Sequence, residues 1–512
     1  MSAKRIAKGI VSVGTWSATK LVVAGLALPL YSRLLGIDGY GQYAYYVALL
    51  MICVHPANFG MRQMLTKHIA ERPEERPRAR GLASFAARVT LVSSLVVGLV
   101  ASLLQVSAAY WKLQTAGMML LVVGTLWAQQ VHQHAAGILH GLHREDEETL
   151  PASMGIALSG LAGILLAALG FGVAGVLIGM LTGTVLVAVV TLRRAAAALD
   201  ESGGEATADP VPRRELLLFG MVSMGYTGMA MVLYSVDVVL VRHFSGDQQT
   251  GLYAAAVQWS EFVWFVPIAI EGVMLQSTAR LWAENRLDEL SRLVSRLMRY
   301  VMVSTAYLLI VVMVFASQTV TLYFGPQFEQ AAVPLQLLVP GVFAFSLARV
   351  MRPVIQAHGW VATLFKTVSA ATLVNVVLNV VLVPRWGAAG ASVATSASFL
   401  MVTISYVLLL RREGVRPFEE FPFGRFGLLC GVTVTVLMPI GLLITEPLVA
   451  LTTGVVLSVA LYWGGVFWLG LIRIRELEQI VDSLPGALRP TAVKVMGYLQ
   501  PLLGRLSVMA PN

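Results

Sequence analysis

GIVSVGTWSATKLVVAGLALPLYS, residues 9–32, is a run of 24 residues with the character of a membrane span. A single charge, Lys20, interrupts an otherwise apolar and small-polar run. About 20 mostly apolar residues carry a helix across the hydrocarbon of a bilayer, so this run is long enough to span. It is too long for the core of a secretory signal, and no small-residue cleavage site follows it, so it reads as a retained first span. Runs of the same kind recur at 40–59, 85–106, 115–132, 154–171, 175–192, 216–236, 252–275, 300–323, 332–355, 367–383, 389–410, 426–444 and 448–469. The expected fold is an all-α polytopic membrane protein with about fourteen transmembrane helices.

Composition agrees with that reading. Hydrophobic residues make up 57% of the chain, charged residues 13%, and mean hydropathy is +0.74. A soluble domain carries nearer a quarter charged residues. The net charge of +9 sits largely between the apolar runs, which argues against nucleic acid as its partner. Cys53 and Cys430 lie inside apolar runs and form no metal-binding spacing.

Lys and Arg stay on the cytoplasmic side during insertion. With the N-terminus inside, 30 of the 37 basic residues fall in cytoplasmic segments, and the outer segments hold four: Arg33, Lys112, Arg242 and Arg385. Both termini are therefore expected in the cytoplasm. The segment 281–299, with Leu287, Leu290, Val294 and Leu297, fits an amphipathic helix on the inner membrane surface. The tail from 472 reads similarly.

The chain also repeats itself. Gly41-Gln42-Tyr43-Ala44 matches Gly251-Leu252-Tyr253-Ala254, and Gly172-Val173-Ala174-Gly175 matches Gly387-Ala388-Ala389-Gly390. His140-Gly141 matches His358-Gly359, and Arg193-Arg194 matches Arg411-Arg412. The matches keep one order and nearly one spacing, which implies two parallel six-helix halves. The domains are then 1–194, a linker at 195–215, a second half at 216–412, two further spans at 413–471 and a cytoplasmic amphipathic tail at 472–512.

Polar residues at membrane depth form helical stripes. The first span carries Trp16, Thr19 and Lys20; the seventh carries Tyr226 and Asp237; the eighth carries Glu261 and, on another face, Glu271. The tenth carries Arg349 and Arg352, and the eleventh Asn375 and Asn379. Ionisable side chains at this depth usually face a bundle interior or an aqueous cavity. Simpler readings stand beside that one. Arg352 can snorkel to the inner interface, Asp237 can sit in outer headgroup water or neutralise Arg242, and the asparagines can act as interhelical glue. Gly175, Gly179 and Gly183 make a close-packing face. His132 and His134 point to different faces, and His140 and His143 have no third ligand, so all four read as interfacial and no metal is expected. No nucleotide-binding loop or catalytic motif is present in the sequence, so the chain reads as no enzyme and as needing no cofactor beyond a coupling ion.

Arg33-Leu34-Leu35-Gly36 followed by Gly39 to Tyr43 resembles the segment between the first two spans of polysaccharide flippases, the O-antigen and exopolysaccharide exporters of the multidrug/oligosaccharidyl-lipid/polysaccharide (MOP) superfamily. Asp237 with Gly251-Leu252-Tyr253-Ala254, Phe324-Gly325-Pro326-Gln327-Phe328, and Asn375 to Asn379 with Pro384 and Gly387-Ala388-Ala389-Gly390 resemble later signatures of the same family, in the same order. The resemblance implies flipping of a polyprenyl-pyrophosphate-linked oligosaccharide from the inner to the outer leaflet of a prokaryotic cytoplasmic membrane. Membrane lipid and polysaccharide polymerase or export proteins would be its partners. Lys20, Arg349 and Arg352 would hold the pyrophosphate; Trp16, Thr19, Tyr226, Asn375 and Asn379 would meet sugar. Asp237 or Glu261 would exchange a proton or sodium ion. The alternatives within the superfamily are a peptidoglycan lipid-precursor flippase and a drug/cation antiporter. Lys20 and Arg349 at cavity depth argue against a cation carrier. A membrane glycosyltransferase or polymerase would need a longer outer loop than the sequence offers.

Overall fold

The apolar runs form helices throughout the computed structural model, which describes residues 3–107, 113–200, 212–419 and 421–472. Within those helices the side chains of 3–22, 24, 104–107, 113, 114, 226, 272, 273 and 275–277 lie outside the description, as does the tail from 473. No strand occurs among the described residues. The helices are α1 (Ala3–Asn58), α2 (Met61–Ala70), α3 (Arg76–Ser107), α4 (Leu113–Gly141), α5 (Asp146–Leu166), α6 (Gly172–Asp200), α7 (Arg213–Glu261), α8 (Phe265–Ala283), α9 (Leu287–Val314), α10 (Ala316–Phe324), α11 (Ala332–Ala357), α12 (Val361–Arg412), α13 (Phe423–Leu443), α14 (Pro447–Ser458) and α15 (Gly464–Trp468).

Eight helical stretches among the described residues are long and apolar enough to cross a bilayer, or nine if the bent pair Gly25–Asn58 and Met61–Ala70 is one span. Asp146–Asp200, Arg213–Glu271 and Val361–Arg412 run to 55, 59 and 52 residues, more than twice the length a crossing requires. Each covers two of the expected spans in whole or in large part and is broken by a glycine with non-helical backbone angles. Among the shorter stretches, α3 exposes an apolar side: Leu91, Leu95 and Leu99, on successive turns, are 61%, 45% and 61% exposed.

The glycine breaks carry the internal repeat into the backbone. Gly36 and Gly246, 210 residues apart, adopt φ 69°, ψ −176° and φ 82°, ψ −178°. Gly172 and Gly387, 215 apart, adopt φ 53°, ψ −135° and φ 54°, ψ −130°. A side chain disfavours these regions strongly, so the halves share the geometry of their turns as well as scattered letters.

The two copies also meet. A Cβ on Gly41 would fall 1.9 Å from the Asp247 carbonyl oxygen, and one on Gly251 would fall 2.4 Å from that of Ile37. Positions 37 and 247, like 41 and 251, are related by the 210-residue shift, so the contact is self-complementary in the manner of a two-fold interface. Gln42 Nε2 donates to Asp247 Oδ2 at 2.9 Å beside it.

The chain packs as two compact units, one of Met1–Ala254 with Val376–Ala388 and the other of Ala255–Asn375 with Ala389–Asn512. In the first, Met61, Met64, Leu65, Leu139 and Ala198 form a buried cluster joining α2, α4 and α6. The face of Gly179 and Gly183 packs directly on the Ser159 and Gly163 backbone of α5, as its spacing implies. In the second unit, Leu290, Val294, Met298 and Val301 of α9 are fully buried. That corrects the reading of 281–299 as a membrane-surface helix. Its stripe packs into protein, and the Ser291 and Ser295 hydroxyls bond the Arg416 N–H and the Glu419 carbonyl. An apolar stripe at helical spacing does not distinguish lipid from a protein partner. The appended C-terminal helices dock on α9 and α10: Tyr462 donates to the Val303 carbonyl of α9 at 2.8 Å, and Gln318 of α10 donates to the Gly441 carbonyl of α13 at 2.7 Å.

Candidate functional site

In the second unit, Arg349 and Arg352 sit three residues apart on α11, on one face, and both reach Glu271 of α8. Arg349 Nη1 lies 3.3 Å from Glu271 Oε2, and Arg352 pairs with Oε1. The side chains of Arg349 and Glu271 are 14% and 13% exposed, that of Arg352 35%. The Arg349 guanidinium also lies 4.4 Å from the Trp264 ring centroid. Trp264 donates its indole N–H to the Val342 carbonyl at 3.4 Å, which fixes the ring under the cation. Arg349 is thus held inward by a carboxylate and an aromatic face. Two positive charges face one negative, so the trio keeps a net positive charge, smaller than two free arginines would give.

In the first unit, Asp237 of α7 is 1% exposed. It accepts from Tyr253 Oη and from Asn379 Nδ2, each at 2.8 Å. It is therefore buried away from headgroup water. Arg242 pairs instead with Asp247 at 2.7 Å and stacks on the Tyr45 ring, 4.0 Å from its centroid. Asn379 ties α12 to α7 through Asp237, the interhelical bonding its sequence position allows. In the second unit, Asn375 is fully buried, and Glu261 is half-buried at the end of α7. Trp16, Thr19 and Lys20 lie on α1 and Tyr226 on α7, but their side chains are outside the described residues.

A second polar region of the first unit is not marked by the stripes read from sequence. A cavity of about 340 Å³ opens among the last turn of α1, α2 and α4, lined by His55, Asn58, Arg62, Gln63, Lys67 and Gln133 among others. No lining residue is acidic. Phe59 and Gly60 adopt left-handed backbone, which ends α1 and starts α2 so that Arg62 turns toward α4. Asn58 Oδ1 accepts the Arg62 N–H at 3.0 Å, and Arg62 Nη1 donates to Gln133 Oε1 at 2.6 Å. Beside the cavity, Glu148 in the first turn of α5 joins His132 and His140 of α4. Its Oε1 lies 3.2 Å from His132 Nε2 and its Oε2 2.5 Å from His140 Nε2, with Arg62 Nη2 at 3.8 Å. Glu148 precedes the apolar span 154–171. Burial works against its charged form, but the hydrogen bonds of the two histidines and the charge of Arg62 outweigh burial and hold its carboxyl well below the usual carboxylate range. His132 and His140 therefore both bond one carboxylate, a partner the sequence reading did not give them. The signal is legible as polar residues on one face of α4 at spacings of three and seven, at Gln130, Gln133 and His140. Arg62 reads from sequence as one more loop charge, because its helix follows a sharp turn. Among the described residues no His, Cys, Asp and Glu cluster has metal-binding geometry.

Comparison with known proteins assigns the family. The profile for the polysaccharide biosynthesis protein family matches residues 6–264. The chain belongs to that family. The MatE profile matches residues 227–381. An uncharacterized membrane protein of Methanocaldococcus jannaschii is 22% identical over 276 residues, which is 53% of this chain. The chain spans 54% of the length of that relative. The probable low-salt glycan biosynthesis flippase Agl15 of Haloferax volcanii is 22% identical over 389 residues, covering 74% of this chain and 78% of that protein. Among solved structures, the lipid II flippase MurJ in an inward closed conformation is similar in fold, with a TM-score of 0.66 at 13% identity, covering 91% of this chain and all of that one. This member of the polysaccharide biosynthesis protein family is thus a multi-pass α-helical membrane protein with the fold of the MOP superfamily.

Proposed function

We propose that the chain is a flippase that moves a polyprenyl-pyrophosphate-linked oligosaccharide from the inner to the outer leaflet of the cytoplasmic membrane for surface polysaccharide assembly. It acts by alternating access between its two halves, with both termini in the cytoplasm. It makes and breaks no bond of its cargo, which polymerase or export proteins take up afterwards. The observation that carries the reading is the pairing of two inward-held arginines with one carboxylate, in a family of polysaccharide biosynthesis proteins. A net positive charge in a part-buried wall suits a diphosphate and repels a cationic drug. The polar stripe of the first span supplies faces and hydroxyls for sugar. Asp237 or Glu261 takes the coupling proton or sodium ion.

The test is restoration of surface glycan in a host strain that lacks its own flippase. A charge-assisted hydrogen bond contributes about 1.5–3 kcal/mol, or roughly tenfold to a hundredfold in affinity. Lys20→Ala and Arg349→Ala are each expected to lower export by at least about tenfold at limiting cargo. Full export by both variants overturns the cationic site.

A further inference from the structure

We propose that the cavity at the junction of α1, α2 and α4 binds a phosphate or diphosphate group, and that protonation of His132 and His140 controls its affinity by deciding how far Glu148 holds Arg62. The inference rests on the reading that the cargo carries a diphosphate, and it adds a proton-linked site that the Arg349 trio does not provide.

The cavity walls fit an anion. Lys67 and Arg62 bring positive charge; Lys67 lies 4.7 Å from the Phe219 ring centroid, and its charge also reaches the Glu71 carboxylate of the following turn. Gln63 has its Oε1 buried without a hydrogen-bond partner, and an amide flip presents two N–H donors there instead. No carboxylate lines the cavity, and its volume of about 340 Å³ holds a diphosphate.

The coupling follows from Arg62, which stands between two anions. One is the Glu148 carboxylate at 3.8 Å; the other is whatever enters the cavity. The distance is long for an ion pair, because Glu148 already spends both oxygens on histidines at 3.2 and 2.5 Å. With the histidines neutral, Arg62 is the nearest full charge to Glu148. With them protonated, two positive charges hold one carboxylate and repel Arg62 toward the cavity. Histidine is the side chain that makes this change between pH 5 and 8. The linkage is reciprocal: an anion that draws Arg62 away favours uptake of protons by the cluster. Anion and proton therefore favour each other's binding at this site.

Other charged groups near the cluster are already paired. Arg144 bonds Glu147 at 2.5 Å, and Arg194 of α6 bonds the Glu147 carbonyl at 2.6 Å. Thr191 Oγ1 lies 3.4 Å from His132 Nδ1. His55 is the other titratable group facing the cavity.

The experiment measures binding of inorganic pyrophosphate and of farnesyl diphosphate to the full chain in detergent by calorimetry at pH 6 and pH 8. Coupling between two sites commonly amounts to about 5- to 150-fold, so binding is expected to weaken by at least about fivefold as pH rises. The sign discriminates, because a site governed by the ligand's own charge tightens as the pyrophosphate deprotonates. Arg62→Ala and Lys67→Ala should each lower affinity by about tenfold or more at pH 6. Glu148→Gln should bind at pH 8 as the wild type does at pH 6. If Glu148→Gln does not fold, His140→Asn should flatten the pH dependence by itself, and His55→Asn should leave it in place. Binding untouched by both Arg62→Ala and Lys67→Ala, or tighter binding at pH 8, overturns the proposal. Equal affinity for the two ligands assigns the site to a free diphosphate, and a strong preference for farnesyl diphosphate to a lipid headgroup; both sustain it. A chain that binds as described but restores no surface glycan refutes the export reading alone, and export without such binding refutes this site alone.

Discussion

Replacing Glu271 with glutamine keeps its shape and removes the charge that Arg349 and Arg352 share. At 3.3 Å and an effective dielectric near 20, a unit-charge pair interacts with about 5 kcal/mol, part of which offsets desolvation. Breaking a buried pair by removing one partner costs about 3–5 kcal/mol. Arg352 is 35% exposed, so water screens its share, and the net loss works out at about 2–4 kcal/mol. The assay is unfolding of the purified protein in mixed micelles, with Glu271→Gln, Arg349→Met and the double variant closing a cycle. The double variant should recover about 1–3 kcal/mol relative to the sum of the singles, because Arg349 is no longer left buried without its acid. Stability unchanged by Glu271→Gln, together with strict additivity, would refute the trio as a linked unit.

Gly41→Ala and Gly251→Ala each drive a methyl group into helix backbone and should destabilise by about 1–3 kcal/mol or more, whereas Gly431→Ala, with open space around it, should be neutral or mildly stabilising in the same unfolding assay. Asp237→Asn removes the negative charge that strengthens the bonds from Tyr253 and Asn379, so stability should fall by about 1–3 kcal/mol; an unchanged unfolding curve would remove Asp237 from the framework. A cysteine placed at Glu74, in the turn between α2 and α3, should react with an impermeant maleimide in inverted vesicles and not in intact cells; the opposite result inverts the topology.

What could be read from the sequence follows the reach of each interaction. Spans and turn glycines are local features, and Gly172 with Gly387 kept a detectable spacing because backbone geometry tolerates so few residues there, whereas the pairing of Gly36 with Gly246 is visible only in the backbone angles. The partner of a charge is not local. Glu271 stands apart from Glu261 by helical phase, yet nothing in that phase points to Arg349, 78 residues on. Glu148 lies hidden in a run of acids at a helix start, Glu145 to Glu148, where charge normally needs no explanation beyond the helix dipole. The stripe of α9 gave the right face and the wrong neighbour.

The crossing of Gly41 and Gly251 has a consequence for descent. Two separate copies of a half-length chain, meeting by this contact, would be obliged to carry the same residues on both sides of the axis. A tandem chain escapes that obligation. Gln42 bonds Asp247 on one side, while the positions related to them by the repeat hold Leu252 and Ile37. The seam has kept its glycines, where geometry leaves no choice, and has let its side chains part company, so that one edge of an ancestral symmetry is now polar and the other greasy. Joining the copies is what made unlike halves possible.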